Sequence, residues 1–210
     1  MARAFYEIAF TDTVLKKQKE LGSEGLYAKQ LAPEADRRDA LGAEEAAFIA
    51  ARDGFYQATV SETGWPYVQF RGGMPGFVHI LDDKTIAYAD FRGNRQYLSV
   101  GNLAGDDRVA LFFMDYPNKR RLKLLGHARI LERDEDPDLI RKLHNAGYRA
   151  TPERAVVITV AGFDWNCPQH IPQRYTLAEL EPALEPFRDA IARLEEENRA
   201  LKQQLAARGA

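Results

Sequence analysis

Residues 66–89, PYVQFRGGMPGFVHILDDKTIAYA, decide the fold. Tyr67–Arg71, Phe77–Leu81 and Thr85–Ala89 are short runs rich in β-branched and aromatic residues, separated by turn chemistry, which predicts strands. Asp82-Asp83-Lys84 is compact enough for a hairpin connection, and so is Glu62-Thr63-Gly64 just upstream, because Asp and Gly tolerate the turn conformations that hairpins need. Outward from this stretch, Phe55–Ser61, Arg121–Glu132 and Ala155–Val160 also predict strands. Arg108–Met114 is almost wholly apolar, which predicts a central strand buried on both faces. Short strands with only local connections favour a closed or partly closed antiparallel barrel, which removes exposed edges. The expected class is mainly β with peripheral helices.

Helices are expected from Thr11-Asp12-Thr13 to about Leu21, where Gly22 stops the run, and over Ala43–Asp53 with Ala46, Phe48 and Ile49 buried. Gly22–Gly42 lacks clean periodicity and is expected to wrap the body as a loop. Arg95–Leu103 and about Asp136–Ala146 complete the short helices. Toward the C-terminus, Leu180, Leu184, Phe187, Ile191, Leu194, Asn198, Leu201 and Leu205 recur at alternating spacings of four and three, the seam of a coiled coil, with a clean helix expected from Pro186. Asn198 on the same class of position as Ile191 and Leu205 favours a two-stranded, in-register pair; an amphipathic helix lying on its own barrel is the alternative. Three regions are expected: residues 1–42, a barrel domain over 43–175, and a C-terminal helix over 176–210.

The 210 residues suit one well-buried core, and 45% hydrophobic with 29% charged residues is ordinary globular composition. A net charge of −2 gives no general attraction to nucleic acid or an anionic membrane, so an anionic ligand has to be met by local arginines. No signal peptide or membrane span is apparent, and the single cysteine, Cys167, excludes an intramolecular disulfide. A cytoplasmic protein is expected.

Three constellations carry chemistry. The run from Pro66 to Gly76 is a strand entering a glycine-rich turn, where absent Cβ atoms would let a flat ligand approach bare backbone; a plain β-bulge is the structural alternative. Asp90-Phe91-Arg92-Gly93-Asn94-Arg95-Gln96, between a strand and a helix start, combines two arginines with free amides, a possible phosphate cradle. Its glycine spacing fits neither a Walker loop nor a dinucleotide fingerprint. The basic run Asn118–Lys123 opens a strand whose alternation puts Arg121 and Lys123 on one face, beside a ligand or at a solvated edge.

In this order, the three segments resemble the FMN-binding split barrels related to pyridoxamine 5'-phosphate oxidase, over roughly residues 43–171. The likeness is greatest to a bacterial subgroup with RGGxPG, GNRQY and NCPQHIP stretches, here Arg71–Gly76, Gly93–Tyr97 and Asn166–Pro172. The resemblance implies bound FMN and a homodimer. It implies that Val68, Gln69, Phe70, Arg71 and Gly72 line the flavin ring, and that Asn94 and Arg95, beside Arg92 and Gln96, occupy the place of the family's phosphate-holding Arg-Lys pair. Arg121 stands where the oxidases carry a flavin-contacting glutamine, with Lys123 beside it. Trp165 and His170, stiffened by Pro168 and Pro172, are expected at a flavin edge. The Arg-x-His segment that clamps pyridoxal phosphate in the true oxidases is missing, and the heptad helix takes its place.

Cys167 and His170 also invite a metal or a nucleophile pair, but too few partners stand at ligand spacing, so no metal is expected. The implied function is an FMN-dependent oxidoreductase acting on an unidentified small molecule. The alternatives are a non-catalytic flavin- or haem-binding sensor whose coiled coil recruits a partner, and a deazaflavin-dependent reductase. Everything requires Arg71 and Arg95 to share one cleft.

Overall fold

The pleat of strand β1 (Gly54–Val60) sends Phe55 and Gln57 inward, while Tyr56 points out to solvent, and this alternation is repeated across the sheet. A computed structural model describes residues 3–165 and 168–208. Its other strands are β2 (Pro66–Gly72), β3 (Val78–Asp82), β4 (Thr85–Phe91), β5 (Arg108–Asp115), β6 (Arg120–Glu132) and β7 (Pro152–Trp165). All pair antiparallel in the order β2-β1-β5-β6-β7-β4-β3. The end strands β2 and β3 are not hydrogen-bonded to each other, and this gap is the split in the barrel.

Both expected hairpins form. Gly64, at φ +84°, turns β1 into β2, and Lys84 N donates to the Asp82 carboxylate between β3 and β4. Strand β5 differs from expectation. Val109, Leu111 and Phe113 enter the core while Ala110, Phe112 and Met114 lie half-buried on the outside, so one face is in the interior and the other is not. The centre of the sheet belongs to β6, whose Leu122 and Leu124 are fully buried. Within the barrel, Phe55 packs on Phe113 and Tyr88 at centroid distances of 4.8 and 5.3 Å. Tyr88 donates to Gln57 Oε1 at 2.6 Å, a buried bond from β4 to β1; burial holds its phenol far above the ordinary tyrosine range, so it remains a donor.

The helices are α1 (Arg3–Ala9), α2 (Asp12–Glu20), α3 (Ala28–Leu31), α4 (Ala43–Ala50), α5 (Leu98–Gly105), α6 (Pro137–Leu143) and α7 (Leu177–Arg208). The N-terminal segment is thus helical, and it seats on β7 at Gly162, where a Cβ would stand 2.7 Å from the Phe5 nitrogen. The expected wrapping loop contains a 3₁₀ turn (Glu24–Tyr27) and α3 before its extended end bonds to the body, through Ala4 N to Arg37 O at 2.8 Å. Asp136 caps α6 through Leu139 N at 2.9 Å. On α4, Glu45 rather than Ala46 joins Phe48 and Ile49 in the buried stripe.

Two compact units divide the chain: the segment ending at Asp115 with Lys119–Ile171, and Tyr116–Asn118 with the segment from Pro172 onward. In the second, α7 starts nine residues before Pro186 and runs through both Pro182 and Pro186. Its start is a reciprocal cap: Thr176 N donates to Glu179 Oε2 at 2.7 Å and Glu179 N donates to Thr176 Oγ1 at 3.2 Å. Among the described residues, no helix is long and apolar enough to cross a membrane.

Trp165 Nε1 donates to the buried Glu45 carboxylate at 2.8 Å, which also accepts from Gly42 N at 3.0 Å. Removing that donor leaves a buried carboxylate undersupplied. Trp165→Phe should lower folding stability by about 1–3 kcal/mol in urea denaturation while leaving the flavin-range absorbance of any bound chromophore unchanged.

Candidate functional site

Strand β2 alternates Tyr67, Gln69 and Arg71, half-buried, with Val68 and Phe70, which are 59% and 58% exposed on the opposite face. The half-buried set forms one wall of a shallow, open cleft of about 50 Å³. The other wall is the end of β4 (Asp90, Phe91), the loop Gly93–Tyr97, the first residues of α5, and Glu153 and Arg154 of β7. The cleft therefore spans the split, with β2 on one side and β4 and β7 on the other.

A buried carboxylate ties the walls together. Asp90, 5% exposed, accepts from Arg71 Nη1 at 2.6 Å through Oδ1 and from Arg154 Nη1 at 3.1 Å through Oδ2. Arg154 is the direct cross-strand neighbour of Asp90. Burial works against the Arg154 charge, but its hydrogen bond to Asp90 and the neighbouring carboxylates Glu132 and Glu153 raise its pKa above the ordinary arginine value. Glu153 accepts from Arg92 Nε at 2.7 Å, the main reason its carboxyl lies below the ordinary glutamate range, and from Tyr97 Oη at 3.4 Å. The Arg154 guanidinium covers the Tyr97 ring at 5.2 Å.

The loop itself is held in an uncommon shape. Arg95 (φ +60°) and Tyr97 (φ +54°) are both left-handed, and Gln96 N donates to Asn94 Oδ1 at 3.1 Å. This delays the helix, expected from Arg95, until Leu98, and aims the uncapped start of α5 at the cleft. Ser99 Oγ donates to Gln69 Oε1 at 2.8 Å, which leaves the Gln69 amide nitrogen as a donor. Arg95 has no ion-pair partner among the described residues. Three lining guanidinium groups (Arg71, Arg95, Arg154) oppose two carboxylates (Asp90, Glu153), a net charge of +1 beside a helix N-terminus. Such a site selects an anion.

Of the residues singled out in the sequence, the structure brings Gln69, Arg71, Asn94, Arg95 and Gln96 to this cleft. Arg92 stands at its rim, engaged by Glu153. Val68 and Phe70 face away. The place of the missing Cβ at Gly72 is taken by a side chain: the Phe70 ring lies over Gly72 and its partner Gly54, 2.9 and 2.3 Å from where their Cβ atoms would be, and Phe77 fills the same place at Gly73. On the outer face of β6, Arg121 covers the Phe112 ring at 5.0 Å and Lys123 pairs with Asp164 at 2.7 Å; neither lines the cleft. Trp165 is engaged with Glu45 and packs edge-on against Phe48. His170 is exposed, at φ +66°. Cys167 lies outside the described residues, and among those described no group of three or more His, Cys, Asp or Glu could hold a metal ion. Sequence reasoning gave no role to Glu153, Arg154, Ser99 or Tyr67. The strand pairing that sets Arg154 opposite Asp90 is the signal that would have found them.

A family model described as pyridoxamine 5'-phosphate oxidase matches residues 41–164, which covers β1 to β6, all of β7 but its last residue, and both walls of the cleft. The chain belongs to this family. No curated protein matches it. Among solved structures, HupZ of Group A Streptococcus superposes with a TM-score of 0.50 at 18% identity, covering 64% of this chain and 99% of that one. A putative pyridoxamine 5'-phosphate oxidase from Lactobacillus delbrueckii gives 0.46 at 21% identity over 60% and 94%. An FMN-binding protein from Syntrophomonas wolfei gives 0.45 at 15% identity over 74% and 96%.

Two outcomes are expected for the cleft. Asp90→Ala, which leaves two buried guanidinium groups without their shared partner, should cost about 3–5 kcal/mol in urea denaturation. Because the folded-state pKa of Glu153 is lowered, its contribution is present above the ordinary glutamate pKa and is lost as pH falls through the lowered value. The melting temperature of Glu153→Gln should therefore depend less on pH than that of the parent below about pH 5.

Proposed function

We propose that this chain is a cytoplasmic, homodimeric FMN-dependent oxidoreductase that exchanges hydride with a small molecule. The observation that carries the reading is that Arg71 and Arg95, 24 residues apart in sequence, line one cleft together with the start of α5. Family membership agrees with it. Arg95, Asn94 and the α5 amides would hold the phosphate, with Arg71 and Arg154 supplying the surrounding positive potential. As an end strand, β2 hydrogen-bonds only to β1, so alternate N–H and C=O groups along it point away from any strand partner. Those groups, with the Gln69 amide, suit the polar edge of a planar heterocycle. Bound FMN would supply a centre that accepts or donates hydride. The protein's part is to orient the ring, neutralise the phosphate and limit water.

The outer face supports the dimer. Register aligns Phe70, Tyr56, Phe112 and Lys123 in one row, and Val68, Ala58, Ala110 and Leu125 in the next. Tyr56, Val68 and Phe70 are exposed in these rows, an apolar patch that fits a second copy of the chain.

The freshly purified protein should be yellow, release FMN on denaturation as identified by mass spectrometry, bleach anaerobically with NAD(P)H and reoxidise with a substrate. Arg95→Ala should raise the FMN dissociation constant roughly ten- to hundredfold without changing the urea midpoint of the FMN-free protein, since one charge-assisted bond is removed. A colourless protein whose melting temperature does not respond to added FMN would overturn the assignment. A flavin that NAD(P)H and other donors leave oxidised would instead indicate a non-catalytic binder.

A further inference from the structure

The second unit contains a surface for which the flavin site gives no role. Along α7, Leu184, Phe187, Ile191, Leu194, Leu201 and Leu205 are between 40% and 69% exposed, and Asn198 is exposed among them. They form one continuous stripe down a helix of 32 residues. A stripe this narrow and regular is unsuited to a flat protein surface, which would require a broader apolar arc. It matches the seam of a coiled coil, with Leu184, Ile191, Asn198 and Leu205 in one class of core position and Leu180, Phe187, Leu194 and Leu201 in the other.

We infer that α7 pairs with α7 of a second copy of this chain as a parallel, in-register, two-stranded coiled coil. The orientation follows from Asn198. Reversing one strand sets each position of the first class against one of the second, so Asn198 would face Phe187, Leu194 or another apolar side chain, and its buried amide would be unsatisfied. Only the parallel, unshifted pair sets Asn198 against Asn198 of the other copy, where the two amides hydrogen-bond. The flanks agree. In that arrangement Glu197 of each helix lies beside Lys202 of the other, giving two opposite-charge pairs, while Ala183 and Ala190 face Arg188 and Glu195 without like-charge contact. The prolines do not interrupt the pairing, because Pro182 and Pro186 both precede its main run from Phe187 to Leu205.

The pairing does not depend on the flavin assignment, and disulfide trapping in the full-length protein tests it. In a Cys167→Ser background, Leu194→Cys places a thiol in the seam, and Glu196→Cys places one on the opposite side of the same turn. Mild oxidation should convert most of the Leu194→Cys protein to a disulfide-linked dimer on non-reducing gels and leave Glu196→Cys as single chains, with the flavin content of both equal to that of the parent. Leu201→Cys, one heptad further along the seam with Asn198 intact, should cross-link to itself as Leu194→Cys does, since each seam position meets its own copy only in the parallel register. Failure of Leu194→Cys to cross-link would overturn the pairing, as would equal cross-linking at Glu196→Cys. Cross-linking at Leu194→Cys without any at Leu201→Cys would overturn the parallel register.

Discussion

Asp90 is a buried carboxylate at the end of β4 that accepts from Arg71 of β2 and from Arg154 of β7. Strands β2 and β4 are not neighbours in the sheet, so no backbone ladder fixes the distance across the split. The side-chain clamp does this instead. Burying three charges costs solvation, and the arrangement holds because each charge has its opposite within hydrogen-bond distance. The buried Tyr88–Gln57 bond makes a second cross-barrel link deeper in the core. Between them they set the width of the cleft that a ligand would enter.

The two faces of β2 then have separate work. Its inner face contributes Gln69 and Arg71 to the cleft, and its outer face presents Val68 and Phe70 in apolar rows shared with β1 and β5. A strand period of two makes this division unavoidable: consecutive residues in one motif cannot serve the same ligand through their side chains. The glycines that follow are explained by packing. Phe70 covers the Gly54–Gly72 pair and Phe77 occupies the space at Gly73, so their lack of Cβ serves the fold's own rings.

The loop after β4 shows how local strain and site geometry are connected. Two left-handed residues, Arg95 and Tyr97, postpone the helix by three residues, so that its first residues line the cleft. Tyr97 is held from both sides, by Glu153 at its hydroxyl and by the Arg154 guanidinium over its ring. The strained loop is thus braced by the same β7 segment that completes the Asp90 clamp.

Alternation, turn residues and the heptad spacing are local patterns, so the sequence alone determined the strand positions, both hairpins, the antiparallel class and the long C-terminal helix. It also marked Gln69, Arg71, Asn94, Arg95 and Gln96 as residues to watch, because two of those stretches are unusual in composition. Non-local pairing decided the rest. Which strand lies beside which placed Arg154 against Asp90, set β6 rather than β5 at the centre, moved Arg121 and Lys123 to an outer face, and engaged Trp165 with Glu45. No local pattern encodes these partners, since each joins residues tens of positions apart whose meeting depends on the register of intervening strands.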